Sequence, residues 1–248
     1  MSIPALLVQT WKTRKPPENW KGYVHTLQKL HPCWEYKCYS DEDNEEFMQV
    51  KYPQYYRQWK KLPYNINRID VIRYLYLYEH GGFYLDMDMQ PIRPLTDLRD
   101  HTIVCACFFG CSYYLECAFI GSVPKHVFWL ILVERIFQYQ HELSLIRFAM
   151  STWKITEILN STGPLMLGRV YHENQNKFHN DFTILPMESF YSCWIHDVLS
   201  GPSDKKIYAI HQGAGTWYNK NDSKFSVILI VLTVVIVFVI AIFWMYRK

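Results

Sequence analysis

Residues 67–88 read NRIDVIRYLYLYEHGGFYLDMD, a run that holds a helix, a stop, a strand and a pair of carboxylates in succession. Ile69, Ile72 and Tyr76 recur at helical spacing, which predicts a helix over Ile66–His80 with those residues on one face. Gly81 supplies the C-terminal stop. Phe83–Asp86 then reads as a strand. Side chains alternate along a strand, so Asp86 and Asp88 point one way and Met87 the other. Two like charges so placed repel unless a positive partner joins them. A hard divalent cation, Mn²⁺ or Mg²⁺, is the natural partner, with diphosphate oxygens able to complete its shell. An isolated D-x-D also occurs by chance as two exposed turn aspartates. Here a glycine-stopped helix and an apolar strand precede it, and Pro91 forces a turn after it. Upstream, Asp70 and Arg73 stand at i and i+3 and share a helix face. That spacing suits a surface ion pair as well as contacts to a sugar hydroxyl and a phosphate.

Outward from this run, strand and helix signals alternate. Ala5–Gln9 is a short apolar strand, Trp20–Leu30 a helix and Trp34–Tyr39 a strand. Ser40 reads as an N-cap, with Asp41, Glu42 and Asp43 in the first turn where the helix dipole favours negative charge. The acidic run DEDNEE is therefore a solvated helix start before it is a metal cluster. Thr102–Phe109 and Tyr113–Gly121 are strand candidates. Pro124 opens a helix through about Gln140, and Met150–Leu159 forms another, ended by Thr162-Gly163-Pro164. Phe182–Leu185 and Lys206–Ile210 are late strands. This order predicts an α/β domain with a substantially parallel sheet over residues 1–222, and ligands in such sheets gather beyond the carboxyl ends of strands.

Composition agrees with a folded core. Half of the 248 residues are hydrophobic, 20% are charged and 17% are aromatic, which excludes a disordered or collagen-like chain. The net charge of +3 includes Arg247 and Lys248 at the very end. The body is nearly neutral, which argues against nucleic acid as a partner. The seven cysteines are odd in number and form no paired C-x2-C units. They read as buried thiols and not as a zinc site or a disulfide framework.

From Phe225 to Met245 the chain reads FSVILIVLTVVIVFVIAIFWM, without charge, Pro or Gly. As a helix this run rises ~31 Å, close to the ~30 Å hydrocarbon core of a bilayer. A transmembrane helix over 225–245 with a short tail over 246–248 is predicted, with the bilayer as partner. The apolar run near the N-terminus is too short for a signal peptide. The expectation is a single-pass protein with a C-terminal anchor in an ER- or Golgi-type membrane and residues 1–222 in the cytosol. Glycosylation at the sequon Asn160-Ser161-Thr162 would instead mark a lumenal domain.

The run from Asn67 to Asp88 closely resembles the D-x-x-R…L-Y-x-x-G-G-x-Y-x-D-x-D signature of the DXD-containing glycosyltransferases. Within that group it is most similar to the initiating α-1,6-mannosyltransferases and the inositol-phosphoceramide mannosyltransferases. Ile3-Pro4 with Gln9-Thr10-Trp11-Lys12, the Thr162-Gly163-Pro164 turn, and His211…Gly215-Thr216-Trp217 resemble further family elements in the expected order. The resemblance implies a GT-A type fold with a Rossmann-like mixed sheet. It also implies metal-dependent, retaining transfer of a hexose from a nucleotide sugar. Mannose from GDP-mannose is the first choice, with a UDP-hexose the other. The acceptor is a membrane lipid of the inositol-phosphoceramide kind or a glycoprotein glycan. Carried over by position, Asp86 and Asp88 hold Mn²⁺ or Mg²⁺ and are catalytic, with His211 a further metal ligand. Trp11, Asp70, Arg73, Tyr84 and Trp217 bind the donor. Two other classes stay open: an aspartyl phosphotransferase or phosphatase built on the D-x-D, and a catalytically inactive, membrane-tethered module that binds sugar nucleotides.

Overall fold

The computed structural model describes residues 2–108, 111–150, 154–186, 189–190 and 207–216, and the side chains of these apart from 108 and 143–150. The predicted transmembrane segment 225–245 lies outside the described residues. Among the described residues no helix is long and apolar enough to cross a membrane.

Eight strands and eight α-helices are described: β1 (Leu6–Thr10), α1 (Lys21–Leu30), β2 (Glu35–Tyr39), α2 (Asp41–Lys51), α3 (Pro53–Lys60), α4 (Asn65–His80), β3 (Gly82–Leu85), β4 (Met89–Pro91), β5 (Ile103–Phe108), β6 (Cys111–Ser122), α5 (Phe128–Met150), α6 (Lys154–Ser161), α7 (Pro164–Glu173), α8 (Gln175–Phe178), β7 (Phe182–Leu185) and β8 (Ala209–His211). Six strands form one sheet in the order β2-β1-β3-β6-β5-β7, and β4 and β8 form a separate pair. The pairs β1–β2, β1–β3 and β5–β7 are parallel. Strand β6 runs antiparallel to both β3 and β5. The sheet is therefore mixed, and the long antiparallel β6 at its centre is what keeps it from being wholly parallel.

Both faces of the sheet are covered. Leu6, Val8, Tyr84, Ile103 and Cys105 point into a large core with α2, α3, α4, α5 and α7. The alternate residues Leu7, Phe83, Leu85, Val104 and Ala106 point into a second core with Leu27 of α1. A strand buried on both faces is apolar at consecutive positions, and all five residues of β1 are buried.

The expected single apolar face of α4 is not what forms. Every residue from Asp70 to Leu77 is buried, because α4 is enclosed by the sheet, α3, α5 and α6. A helix enclosed in this way must pair its own polar groups, since a buried polar group without a partner is costly. Ser40 caps α2 as expected: its hydroxyl accepts from the Asp43 N–H at 3.1 Å, and Asp43 Oδ2 accepts from the Ser40 N–H at 2.8 Å. The helix expected from Pro124 begins only at Phe128. Before it, Lys125 takes φ 60° and donates its N–H to the Tyr78 carbonyl, a turn that brings the chain back over α4. The helices α3 and α7 each have Pro at their first position, where the missing N–H costs nothing.

Gly81 and Gly82 make the tight passage from α4 to β3 possible. Their φ values are 64° and 87°. A Cβ on Gly82 would stand 2.6 Å from the Leu6 carbonyl oxygen, and one on Gly81 would stand 2.7 Å from that of Ser122. The strand therefore enters the sheet directly beside β1, and its carboxyl end delivers Asp86.

Candidate active site

Beyond the carboxyl end of β3 lies a cavity of about 950 Å³. Trp11, Asp70, Arg73, Tyr84, Asp86, Asp88 and His211 all line it. Trp217 lies outside the described residues.

The two aspartates are held differently. The Asp86 N–H donates to the Ala118 carbonyl at 2.9 Å, and Gln9 Nε2 donates to the Asp86 carbonyl at 3.2 Å. Its carboxylate is partly exposed and faces the Arg73 guanidinium at 3.3 Å. Asp88 is buried. Its Oδ2 accepts from the Ala214 N–H at 2.8 Å, and its carbonyl accepts from the Gln212 N–H at 3.1 Å. Pairing of β4 with β8 sets Met89 opposite His211, and so brings His211 Nε2 to 3.6 Å from Asp88 Oδ1. Ligand atoms of Asp86, Asp88 and His211 all lie within 4.8 Å of one another. Two carboxylates and an imidazole in this arrangement fit a divalent cation of the Mn²⁺ or Mg²⁺ type, the carboxylates supplying the hard oxygens. Burial raises the Asp88 pKa, His211 opposes the rise and Asp86 adds to it; positive charge at this point would lower it again.

Asp70 and Arg73 are not a surface pair. They are 3% and 2% exposed and lie 3.1 Å apart. Arg73 also donates to the Cys117 carbonyl at 2.5 Å and stacks on the Tyr84 ring at 4.7 Å, while among the described residues its Nε has no partner. Its pKa stands well above the ordinary value: burial opposes the charge, but Asp86, Tyr84 and Asp70 outweigh it. Asp70 is pushed up to about 6, chiefly by burial, against the pull of Arg73 and of the Thr162 hydroxyl. That hydroxyl donates to Asp70 Oδ2 at 2.6 Å and accepts from Asn67 Nδ2 at 2.8 Å. The Thr162-Gly163-Pro164 turn thus lies against α4. The Tyr84 hydroxyl bonds Thr10 Oγ1 at 2.9 Å. At the other flank, Trp11 meets Trp20 edge-on with ring centroids 5.2 Å apart.

Some cavity residues were not read from the sequence. Asp41 was placed in a solvated helix start, yet it lines the cavity. Glu116 and Tyr114 also line it. Their signal was the alternation in the first half of β6, in which Leu115 is buried and Tyr114 and Glu116 on either side of it are partly exposed, but nothing in that alternation said which face met a site. The expectation of buried thiols holds for Cys105, Cys107 and Cys117 and fails for Cys33 and Cys111, which are exposed free thiols, Cys111 because it opens β6 at the sheet's rim. The sequon residues Ser161 and Thr162 are fully buried.

Residues 17–105 match the model of the glycosyltransferase sugar-binding region containing DXD motif. Inositol phosphoceramide mannosyltransferase 3 of Schizosaccharomyces pombe is 31% identical over 225 residues, covering 89% of this chain and 57% of that protein. A mannosyl phosphorylinositol ceramide synthase of Saccharomyces cerevisiae is 31% identical over 175 residues, covering 69% of this chain and 42% of that protein. An uncharacterized glycosyltransferase of Acanthamoeba polyphaga mimivirus is 24% identical over 87% of this chain and 84% of that protein. The chain spans about half the length of the two fungal relatives. The matched region contains α4, β3 and the Asp86/Asp88 pair, and over it this chain matches the glycosyltransferase family whose sugar-binding region contains the DXD motif.

Proposed function

We propose that this chain is a metal-dependent glycosyltransferase that moves a hexose, mannose first, from a nucleotide sugar to a membrane acceptor. The observation that carries the reading is the convergence of Asp86, Asp88 and His211 beside the Arg73 guanidinium, all on one cavity. Breaking the anomeric carbon–oxygen bond puts negative charge on a nucleoside diphosphate. Asp86, Asp88 and His211 would hold a divalent cation, which would supply Lewis-acid neutralisation of that charge. Arg73, fixed by Asp70 and the Cys117 carbonyl, adds a preorganised positive charge that needs no rearrangement during the reaction. Asp70 and Tyr84 border the donor, and Trp11 offers a face for the nucleobase. Trp217 is proposed to close over the donor.

The mixed sheet with the D-x-D beyond β3 supports a GT-A type domain over residues 1–222. Retention at the anomeric carbon follows from the family and is part of the proposal. The names of the fungal relatives support mannose as the sugar and an inositol-phosphoceramide-like acceptor; GDP-mannose is the donor proposed, with a UDP-hexose the alternative. An anchor over 225–245 suits that acceptor, because tethering raises the effective concentration at the membrane surface. The proposed setting is an ER- or Golgi-type membrane with the domain on the cytosolic side. The test is nucleotide release by the purified full chain, with Mn²⁺, from GDP-mannose, UDP-glucose and UDP-galactose. Release from one donor that stops on chelation supports the reading; no release from any of them sinks it.

A further inference from the structure

Residues that leave three neighbouring strands line the cavity: Asp41 after β2, Trp11 and Lys12 after β1, and Asp86 and Asp88 after β3. Strands β1 and β2 pair in parallel up to the rung Thr10–Tyr39. The Trp11 N–H donates to the Tyr39 carbonyl at 3.0 Å, so Trp11 and Lys12 emerge alongside Ser40 and Asp41. Arg14 Nε donates to Asp43 Oδ2 at 2.8 Å and ties the two emerging segments together. The exit of β2 lies two strand spacings, ~10 Å, from that of β3. A nucleoside diphosphate with its diphosphate beyond β3 and its base on Trp11 therefore points the edge of that base toward the exit of β2.

The three acidic residues that open α2 are used differently. Asp43 is taken up by Arg14 and by the Ser40 cap, and Glu42 is exposed. Asp41 alone of the three lines the cavity. It is half-buried, and among the described residues its carboxylate accepts no hydrogen bond and forms no ion pair. The charged groups that face it are Glu42, Arg68 and Lys12. The Lys12 ammonium lies over the Trp11 ring, 5.9 Å from its centroid.

An aromatic face flanked by a carboxylate and an ammonium discriminates among nucleobases. A carboxylate only accepts hydrogen bonds and an ammonium only donates them. Guanine offers N1–H and N2–H side by side, a pair that one carboxylate accepts with both oxygens, and its O6 accepts from an ammonium. Uracil offers a single N–H between two carbonyls, so a carboxylate gains one bond and repels a carbonyl oxygen.

We propose that Asp41 is a specificity-determining residue of the donor site: it accepts the N1–H and N2–H of a guanine that lies on Trp11, with Lys12 meeting O6. The proposal rests on the glycosyl-transfer reading above and narrows its donor to a guanine nucleotide.

The test is calorimetric titration of the full chain, with Mn²⁺, against four nucleotides. These are GDP, UDP, inosine diphosphate, which lacks the 2-amino group, and xanthosine diphosphate, which carries a carbonyl in its place. The wild type is expected to bind GDP about tenfold or more tighter than inosine diphosphate or UDP, the worth of a hydrogen bond to a charged group. Asp41→Asn is expected to lose that preference. It is also expected to bind xanthosine diphosphate about tenfold tighter than the wild type does, because its amide N–H donates to the new carbonyl while its oxygen still accepts N1–H. A merely structural role would not produce that gain. Equal wild-type affinities for GDP and inosine diphosphate overturn the assignment, and that comparison needs no variant to fold. So does UDP binding as tight as GDP, or a folded Asn variant that keeps the GDP preference or gains nothing for xanthosine diphosphate. Those results leave the glycosyl-transfer reading standing with a UDP-hexose as donor or another residue reading the base; a wild type that binds none of the diphosphates and consumes none of the sugar nucleotides removes both.

Discussion

The hydroxyl of Thr162 donates to Asp70 Oδ2 at 2.6 Å, joining the turn after α6 to the middle of α4. It accepts in turn from Asn67 Nδ2 at 2.8 Å, and the Thr162 carbonyl accepts from the Tyr74 hydroxyl at 2.8 Å. Asp70 then holds Arg73, and Arg73 faces Asp86. A turn far from the D-x-D in sequence therefore orients the cation beside it.

Thr162→Val removes the donor to Asp70 and the acceptor for Asn67 while keeping the shape. The expected cost is about 1–3 kcal/mol of stability, the penalty for buried groups left unpaired, with weaker binding of the donor nucleotide. Thr162→Ser is expected to keep both properties. Urea unfolding and calorimetry with the nucleotide diphosphate check this; a Val variant that matches the wild type in both would show the contact to be idle.

Asp70 gives stability a pH dependence of definite sign. Its pKa in the folded chain is raised to about 6, mainly by burial, whereas an aspartate in the unfolded chain titrates near ~3.9. Between these values the folded state binds the proton more tightly, so this group's contribution falls as pH rises from about 4 to about 6. Asp70→Asn removes the step. Melting curves are expected to show the wild type losing ground to the Asn variant across that window, and a constant difference would contradict the assignment.

The cation site predicts ligand-linked stability. Mn²⁺ at about a hundredfold excess over its Kd is expected to stabilise the fold by roughly 2.7 kcal/mol, reversibly on chelation. His211→Ala and Asp88→Asn are each expected to weaken binding about tenfold or more. Calorimetric titration of Mn²⁺ into the three proteins is the measurement, and equal affinities would remove these residues from the site.

Gly82→Ala is expected to destabilise by about 2–5 kcal/mol, because the new Cβ adds positive-φ strain to an overlap with backbone. The φ is 87° and the Leu6 carbonyl oxygen is 2.6 Å from the added atom. A variant as stable as the wild type in urea would mean that β3 can move away from β1.

The residues that local chemistry governs were legible one by one. Ser40 caps α2, Gly81 stops α4, and the apolar runs of β1 and β3 lie inside the sheet. The D-x-D could be read because its helix, stop and strand are contiguous. The exposure of Asp70 and Arg73 could not, because the spacing of α4 is equally consistent with a helix on the surface and one enclosed by its neighbours.

The sequence by itself determined the order of helices and strands, the position of the carboxylate pair at a strand's end, and the family signature around it. These depend on backbone geometry over a few residues. Tertiary structure alone decided that β6 would run antiparallel through the sheet, that Thr162 would hold Asp70, and that Asp41 and Glu116 would line the same cavity. Those outcomes join segments far apart in the chain, and such contacts are set by how whole layers pack, which no local pattern encodes.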